Sequence, residues 1–150
     1  MTFEEILALD GKLVYKVKGV SMRPMLRQNR DLVVIVPPEG RLKKYDVALY
    51  RRGKAYVLHR VIQVQEHGYL IRGDNTYAFE NVPDEAVLGV LTDFTRKGKP
   101  YSVNNSAYQC YARLWHAVYP VRRLGVKAWG LARRVARKLG IRKPGGKKQI

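Results

Sequence analysis

A single cysteine, Cys110, stands in a chain of 150 residues. It excludes an intrachain disulfide and argues against a thiolate zinc site. No apolar run approaches the roughly 20 residues that a membrane-spanning helix needs. No spacing of histidine, cysteine and carboxylate suggests a metal site, and no glycine-rich loop suggests a nucleotide site. No cofactor is therefore expected. The first residues, Met1-Thr2-Phe3-Glu4-Glu5, are acidic where a secretory signal would be basic, so neither a signal peptide nor an N-terminal anchor is expected and the cytoplasm is the default location.

Acidic residues are missing altogether from the last part of the chain. Residues 107–150 hold 12 Lys/Arg and no Asp/Glu, whereas residues 1–106 hold 17 Lys/Arg against 12 Asp/Glu. The net charge of +17 thus divides a near-balanced body, 1–106, from a basic tail, 107–150.

The body reads as mainly β. Thr2-Phe3-Glu4-Glu5 has capping-box spacing and opens a short helix that ends near Asp10-Gly11. Strand-like runs follow at Leu13–Val17, Asp31–Val36, Asp46–Tyr50, Ala55–Val64, Tyr69–Arg72 and Val87–Thr95. Arg51-Arg52-Gly53-Lys54 reads as a hairpin turn and His67-Gly68 as another, while Gly89 is a candidate bulge and the run containing it is expected to be the last strand. This succession of short strands predicts a coiled, barrel-like antiparallel sheet.

In the tail the period changes to helical over 107–119, and Pro120 interrupts it. A second helix over about 121–139 carries Val121, Leu124, Ala128, Leu131, Ala132, Val135 and Leu139 on one stripe. Arg122, Arg123, Lys127, Arg133, Arg134, Arg137 and Lys138 occupy the other face, with Trp129 near the boundary. That pattern fits a helix lying on an anionic membrane surface. It fits equally a helix docked on the body with a solvated basic face. Nucleic acid is disfavoured, because the aromatics lie on the apolar side instead of forming a stacking platform. Lys143–Lys148 is expected to fray.

One stretch stands apart: Lys18-Gly19-Val20-Ser21-Met22-Arg23-Pro24-Met25-Leu26. Gly19 permits unusual backbone angles and Pro24 fixes one, so the run can hold the Ser21 hydroxyl on a tight turn. A serine in a turn is commonplace by itself. Further on come His59, in the middle of a strand, and Asp74, just after another. These residue types can supply a nucleophile, a base and a group that orients the base. Taken singly, His59 can be an ordinary strand histidine and Asp74-Asn75 an Asx-turn.

Gly19-Val20-Ser21-Met22-Arg23-Pro24-Met25-Leu26 resembles the nucleophile box of the type I signal peptidase family. Asn29–Val34, Lys44–Ala48, His59-Arg60-Val61 and Arg72-Gly73-Asp74-Asn75 resemble its later boxes, in the same order, over roughly residues 12–95. Histidine at the base position resembles the Ser-His-Asp branch of that family. The resemblance implies the β-rich catalytic fold shared with self-cleaving SOS repressors, and a serine endopeptidase acting on a peptide or pre-protein. It implies Ser21 as nucleophile, His59 as base and Asp74 as the orienting acid, with Glu80 and Asp84 as competitors for that last role. Gly19, Met22 and Pro24 would contact substrate. Gly19 stands where many members carry a serine, which leaves mainly backbone donors for the oxyanion, including the Ser21 N–H.

Two other readings stay open. A self-cleaving repressor is disfavoured: no helix-turn-helix segment precedes the strands, and no Ala-Gly or Cys-Gly pair lies upstream of Ser21. A non-catalytic module that binds membrane or peptide would make the basic tail its working part.

Overall fold

The computed structural model describes residues 1–140; the fraying expected at Lys143–Lys148 falls outside them. The described chain forms two compact units, the first Met1–His116 and the second beginning at Ala117.

The first unit is a curled antiparallel sheet, a half-barrel in the order β1-β2-β7-β3-β4-β5-β6, with β8 paired to β7. Helix α1 (Phe3–Asp10) precedes it, with the expected capping box between Thr2 and Glu5 and a left-handed Gly11 at its end. The strands are β1 (Leu13–Lys16), β2 (Leu32–Val36), β3 (Val47–Arg52), β4 (Ala55–Gln65), β5 (Gly68–Arg72), β6 (Glu80–Pro83), β7 (Val87–Arg96) and β8 (Lys99–Ser102). Helix α2 (Ser106–Ala117) follows. Its side chains Tyr108, Tyr111 and Trp115 hydrogen-bond to Arg60 and Asp74, so most of α2 belongs to the β unit. The compact units therefore divide about ten residues later than the charge does.

Two strands escape the sequence pattern. Val87–Arg96 is not the last strand: β8 follows through the two-residue turn Lys97-Gly98, both at positive φ, as a tight hairpin requires. Pro100 in β8 and Pro83 in β6 obscured these strands, because proline is tolerated only at sheet margins.

Side-chain alternation sorts the core into two clusters. Val33, Ile35, Val47, Leu49, Leu58, Leu91 and Phe94 pack with Leu7 of α1 and with Met22, Met25 and Leu26 of the Ser21 stretch. Ala48, Tyr50, Val57, Val61, Tyr69, Ile71 and Val82 form the other. Odd and even positions of β3 and β4 thus serve opposite faces.

Gly89 sits beside the expected irregularity. The β3–β7 register passes from Leu49↔Gly89 to Tyr50↔Val87, leaving Leu88 as the extra residue. A Cβ on Gly89 would stand 2.4 Å from Ile35 Cγ2 and 2.9 Å from the Val36 carbonyl oxygen. Gly89→Ala should therefore force β2 away from β7 and destabilise the protein by about 1–3 kcal/mol, read from urea unfolding curves. An unchanged midpoint would mean that the two strands separate freely.

The second unit contributes helix α3 (Tyr119–Lys138), with Pro120 in its first turn. It carries seven Lys/Arg and no acidic residue. Leu124, Leu131 and Trp129 on this helix are exposed by about two thirds of their surface. No helix among the described residues is long and apolar enough to cross a membrane.

Candidate active site

The Ser21 turn is built as the residue order suggests. Gly19 takes φ +82°, a region that side chains avoid, with open space around it, so the requirement is conformational. Met22, Met25 and Leu26 are buried and nail the turn to the core, while the Arg23–Pro24 peptide is cis. Arg23 N–H donates to the Val20 carbonyl and Leu26 N–H to that of Met22. Ser21 itself is half-buried, and its N–H has no hydrogen-bond partner among the described residues.

The Arg72–Asn75 segment straps this turn down. Asn75 N–H donates to the Ser21 carbonyl at 2.7 Å, and the Asn75 amide donates to the Val20 carbonyl at 3.2 Å. Gly73 is where strap, turn and histidine converge. A Cβ there would lie 2.8 Å from the Ser21 carbonyl oxygen and 3.0 Å from His59 Nε2. Only glycine lets the Ser21 main chain and the His59 ring both approach the strap so closely.

His59 is 5% exposed. Its Nδ1 lies 3.1 Å from the Tyr50 hydroxyl, which in turn donates to Glu80 Oε2 at 2.8 Å. A phenol has one proton, and a carboxylate only accepts. With the Tyr50 proton given to Glu80, Nδ1 must carry the other proton and donate to Tyr50. That leaves the Nε2 lone pair free to accept a proton. Glu80 Oε1 also lies 3.7 Å from Nδ1, and Arg52 holds the same oxygen at 2.7 Å. Burial pushes the His59 pKa below its ordinary 6.5; Glu80 pulls the other way, Arg52 adds to the lowering, and Asp74 opposes it more weakly than Glu80. The imidazole is therefore neutral at pH 7.

The three candidate acids have separate partners. Asp74 is 3% exposed, and Arg60 grips both its oxygens at 2.8 Å, with Tyr111 donating to one of them. Asp84 pairs with Arg41 in an exposed 3-10 turn, Asp84–Ala86. Glu80 alone of the three stands at Nδ1 of His59. The alternation of β4 accounts for this division. His59 shares a face with Tyr50, whereas its neighbour Arg60 points to the opposite face and takes Asp74 with it. Tyr50 was missed by the sequence reading. The available signal was the hairpin register, which sets Ala48 opposite His59 and makes Tyr50 its diagonal neighbour on the same face.

Ser21, His59 and Glu80 line one cleft of about 830 Å³. Two unpaired strand edges border it. β1 ends the strand order, and Ala55–His59 of β4 pair only with β3 because pairing to β5 starts at Arg60. Phe3, Tyr15 and Tyr56 supply an aromatic wall, with Phe3 and Tyr56 stacked at 4.4 Å. Of the three expected substrate contacts, Met22 lines this cleft; Gly19 and Pro24 shape the turn without lining it. Among the described residues no cluster of His, Cys, Asp and Glu could hold a metal ion. The chain matches no family model and no curated protein.

The two carboxylates should fail differently. Asp74→Ala leaves Arg60 as an unpaired buried charge and should cost about 3–5 kcal/mol of stability. Glu80→Gln removes a partly exposed acid, and its stability loss should stay under about 1 kcal/mol. Paired denaturation curves check this, and equal losses would remove the distinction between a buried, ion-paired acid and a partly exposed one.

Proposed function

We propose that the protein is a serine endopeptidase that cleaves a peptide or pre-protein by acyl transfer, as its resemblance to signal peptidases suggests. The observation that carries this reading is the meeting of the Ser21 turn with His59 Nε2 at Gly73, in a cleft between two free strand edges. Ser21 Oγ attacks the scissile carbonyl carbon while Nε2 takes its proton. The Ser21 N–H, without another partner, stabilises the oxyanion. Imidazolium then returns the proton to the leaving amine as the carbon–nitrogen bond breaks. Water hydrolyses the acyl-enzyme by the same base, regenerating the Ser21 hydroxyl. Tyr50 and Glu80 hold the imidazole in the required tautomer and offset its positive charge. This orienting role, expected of Asp74, thus passes to Glu80 acting through Tyr50. The substrate adds as a strand between the β1 and β4 edges, held by main-chain hydrogen bonds.

Ser21→Ala and His59→Ala should each abolish cleavage, and the double variant should be little worse than either, since the pair acts as a unit. The rate constant kcat/KM should rise with pH through a limb below 6.5, because Nε2 must be unprotonated to act as base. In Glu80→Gln that limb should move to lower pH, since Glu80 raises the His59 pKa, and kcat should drop at least about tenfold. Unaltered cleavage by Ser21→Ala ends the assignment, and an unmoved limb in Glu80→Gln removes Glu80 from it.

The same proposal sets the enzyme at an anionic lipid surface, held by α3. In support, this helix has an apolar stripe and a basic face with no acid. Each Lys or Arg near such a surface adds up to about 1 kcal/mol. The protein should sediment with anionic vesicles, weakly with neutral ones, and less in added salt. Leu131→Glu should lose vesicle binding while cleavage of a soluble peptide persists. Absence of vesicle binding by the wild type would give α3 a different role.

A further inference from the structure

We infer, resting on the peptidase reading, that the cleft selects extended peptides with acidic side chains at alternate positions. Its lining charge is one-sided. Lys16 and Lys18 stand on the β1 side, and Arg52 and Lys54 on the side where β3 turns into β4. Glu80 is the one acid among the described residues that line the cleft, and it is already held by Arg52 and Tyr50. Lys16, Lys18 and Lys54 are exposed. Three lysines thus border a site with apolar walls at Tyr15, Val57 and Leu58, where charge of one sign is focused instead of dispersed.

The spacing fits a strand. Lys16 and Lys18 flank buried Val17, whose N–H donates to the Asp31 carbonyl, so the extended backbone of β1 continues past Lys16. The two lysines are therefore on the same side of that edge, two residues apart. A peptide strand added to the edge repeats its side chains with the same period. Acids at positions i and i+2 then stand opposite Lys16 and Lys18 as cross-strand pairs. Lys54, on the other side, adds positive charge to the same cleft.

The test has a binding arm and a cleavage arm. Fluorescein-labelled peptides of alternating alanine and glutamate, alanine and glutamine, and alanine and lysine are titrated against Ser21→Ala protein. The glutamate peptide should bind at least about fivefold more tightly than the glutamine peptide, and less so as salt is added. Lys16→Glu with Lys54→Glu, in the Ser21→Ala background, should erase or invert that ratio. Because α3 is itself basic, binding that survives the double substitution but disappears when the α3 arginines are neutralised overturns the inference. In the cleavage arm, a peptide library is digested with wild type, with Lys16→Glu/Lys54→Glu and with Ser21→Ala. Cut sites read by mass spectrometry should be enriched in nearby acids for the wild type and lose them in the double variant. Ser21-dependent cuts with no acidic enrichment refute this specificity and leave the peptidase standing. Acid-selective binding without any Ser21-dependent cut upholds the specificity and refutes the peptidase.

Discussion

The buried ion pair between Arg60 and Asp74 is the constraint on which the rest of the site depends. Arg60 is 1% and Asp74 3% exposed, so the two charges have given up water and must find their partners in the protein. They do so with few bonds to spare. Beyond its two-pronged grip on Asp74, Arg60 donates to the Tyr45 carbonyl, the Tyr108 hydroxyl and the Met25 sulfur. Asp74 accepts from Tyr111 through its side chain and from Trp115 through its carbonyl. The pair joins β4, the Ser21 stretch, the Gly73–Asn75 strap and α2. Asn75, next to Asp74, holds the Ser21 turn by its main chain, so the buried pair helps to position Ser21.

This separates two duties that a residue order of serine, histidine and aspartate would assign to one acid. A strand cannot aim adjacent side chains at the same carboxylate, and His59 and Arg60 are adjacent. Arg60, a cation of fixed charge, has the stronger hold on the buried acid. His59 is left with Tyr50 and, beyond it, a more accessible acid shared with Arg52. The consequence is electrostatic as well as geometric. A carboxylate one hydroxyl away raises the imidazole pKa too little to cancel burial, so the ring stays neutral and keeps its Nε2 lone pair.

Much of the fold was legible because local chemistry decided it. The Thr2–Glu5 box, the left-handed Gly11, the β3–β4 hairpin and the irregularity at Gly89 all follow from residue type at short range. β6 and β8 were not legible, since each is a short marginal strand carrying a proline and is stabilised only by a neighbour. At the site, Ser21 and His59 each had an ordinary reading when taken alone, and only the ordered boxes of the resemblance singled them out. Glu80 was visible only as one of three acids. Seeing which of them lies near His59 Nδ1 requires knowing which face of β4 each residue takes, a property of register and not of composition. Tyr50 looked like any aromatic in a strand, and its role exists only through its diagonal position to His59.

The cleft, too, is a consequence of register. β4 is long enough to pair with β3 over its first half and with β5 over its second, and the exchange falls between His59 and Arg60. On one side of that point the edge of β4 is satisfied; on the other it is open. An open edge inside a folded body invites unwanted strand addition, and proteins usually cover or charge such edges. Here α1 covers part of it, with Phe3 stacked on Tyr56 and Glu4 accepting from the Tyr56 hydroxyl at 2.6 Å. The remainder, from Val57 to His59, stays open beside Ser21. Lys16, Lys18 and Lys54 charge its surroundings, which repels a basic strand and, on the proposed specificity, favours an acidic one. The same feature that protects an exposed edge from aggregation would then act as its filter for substrate.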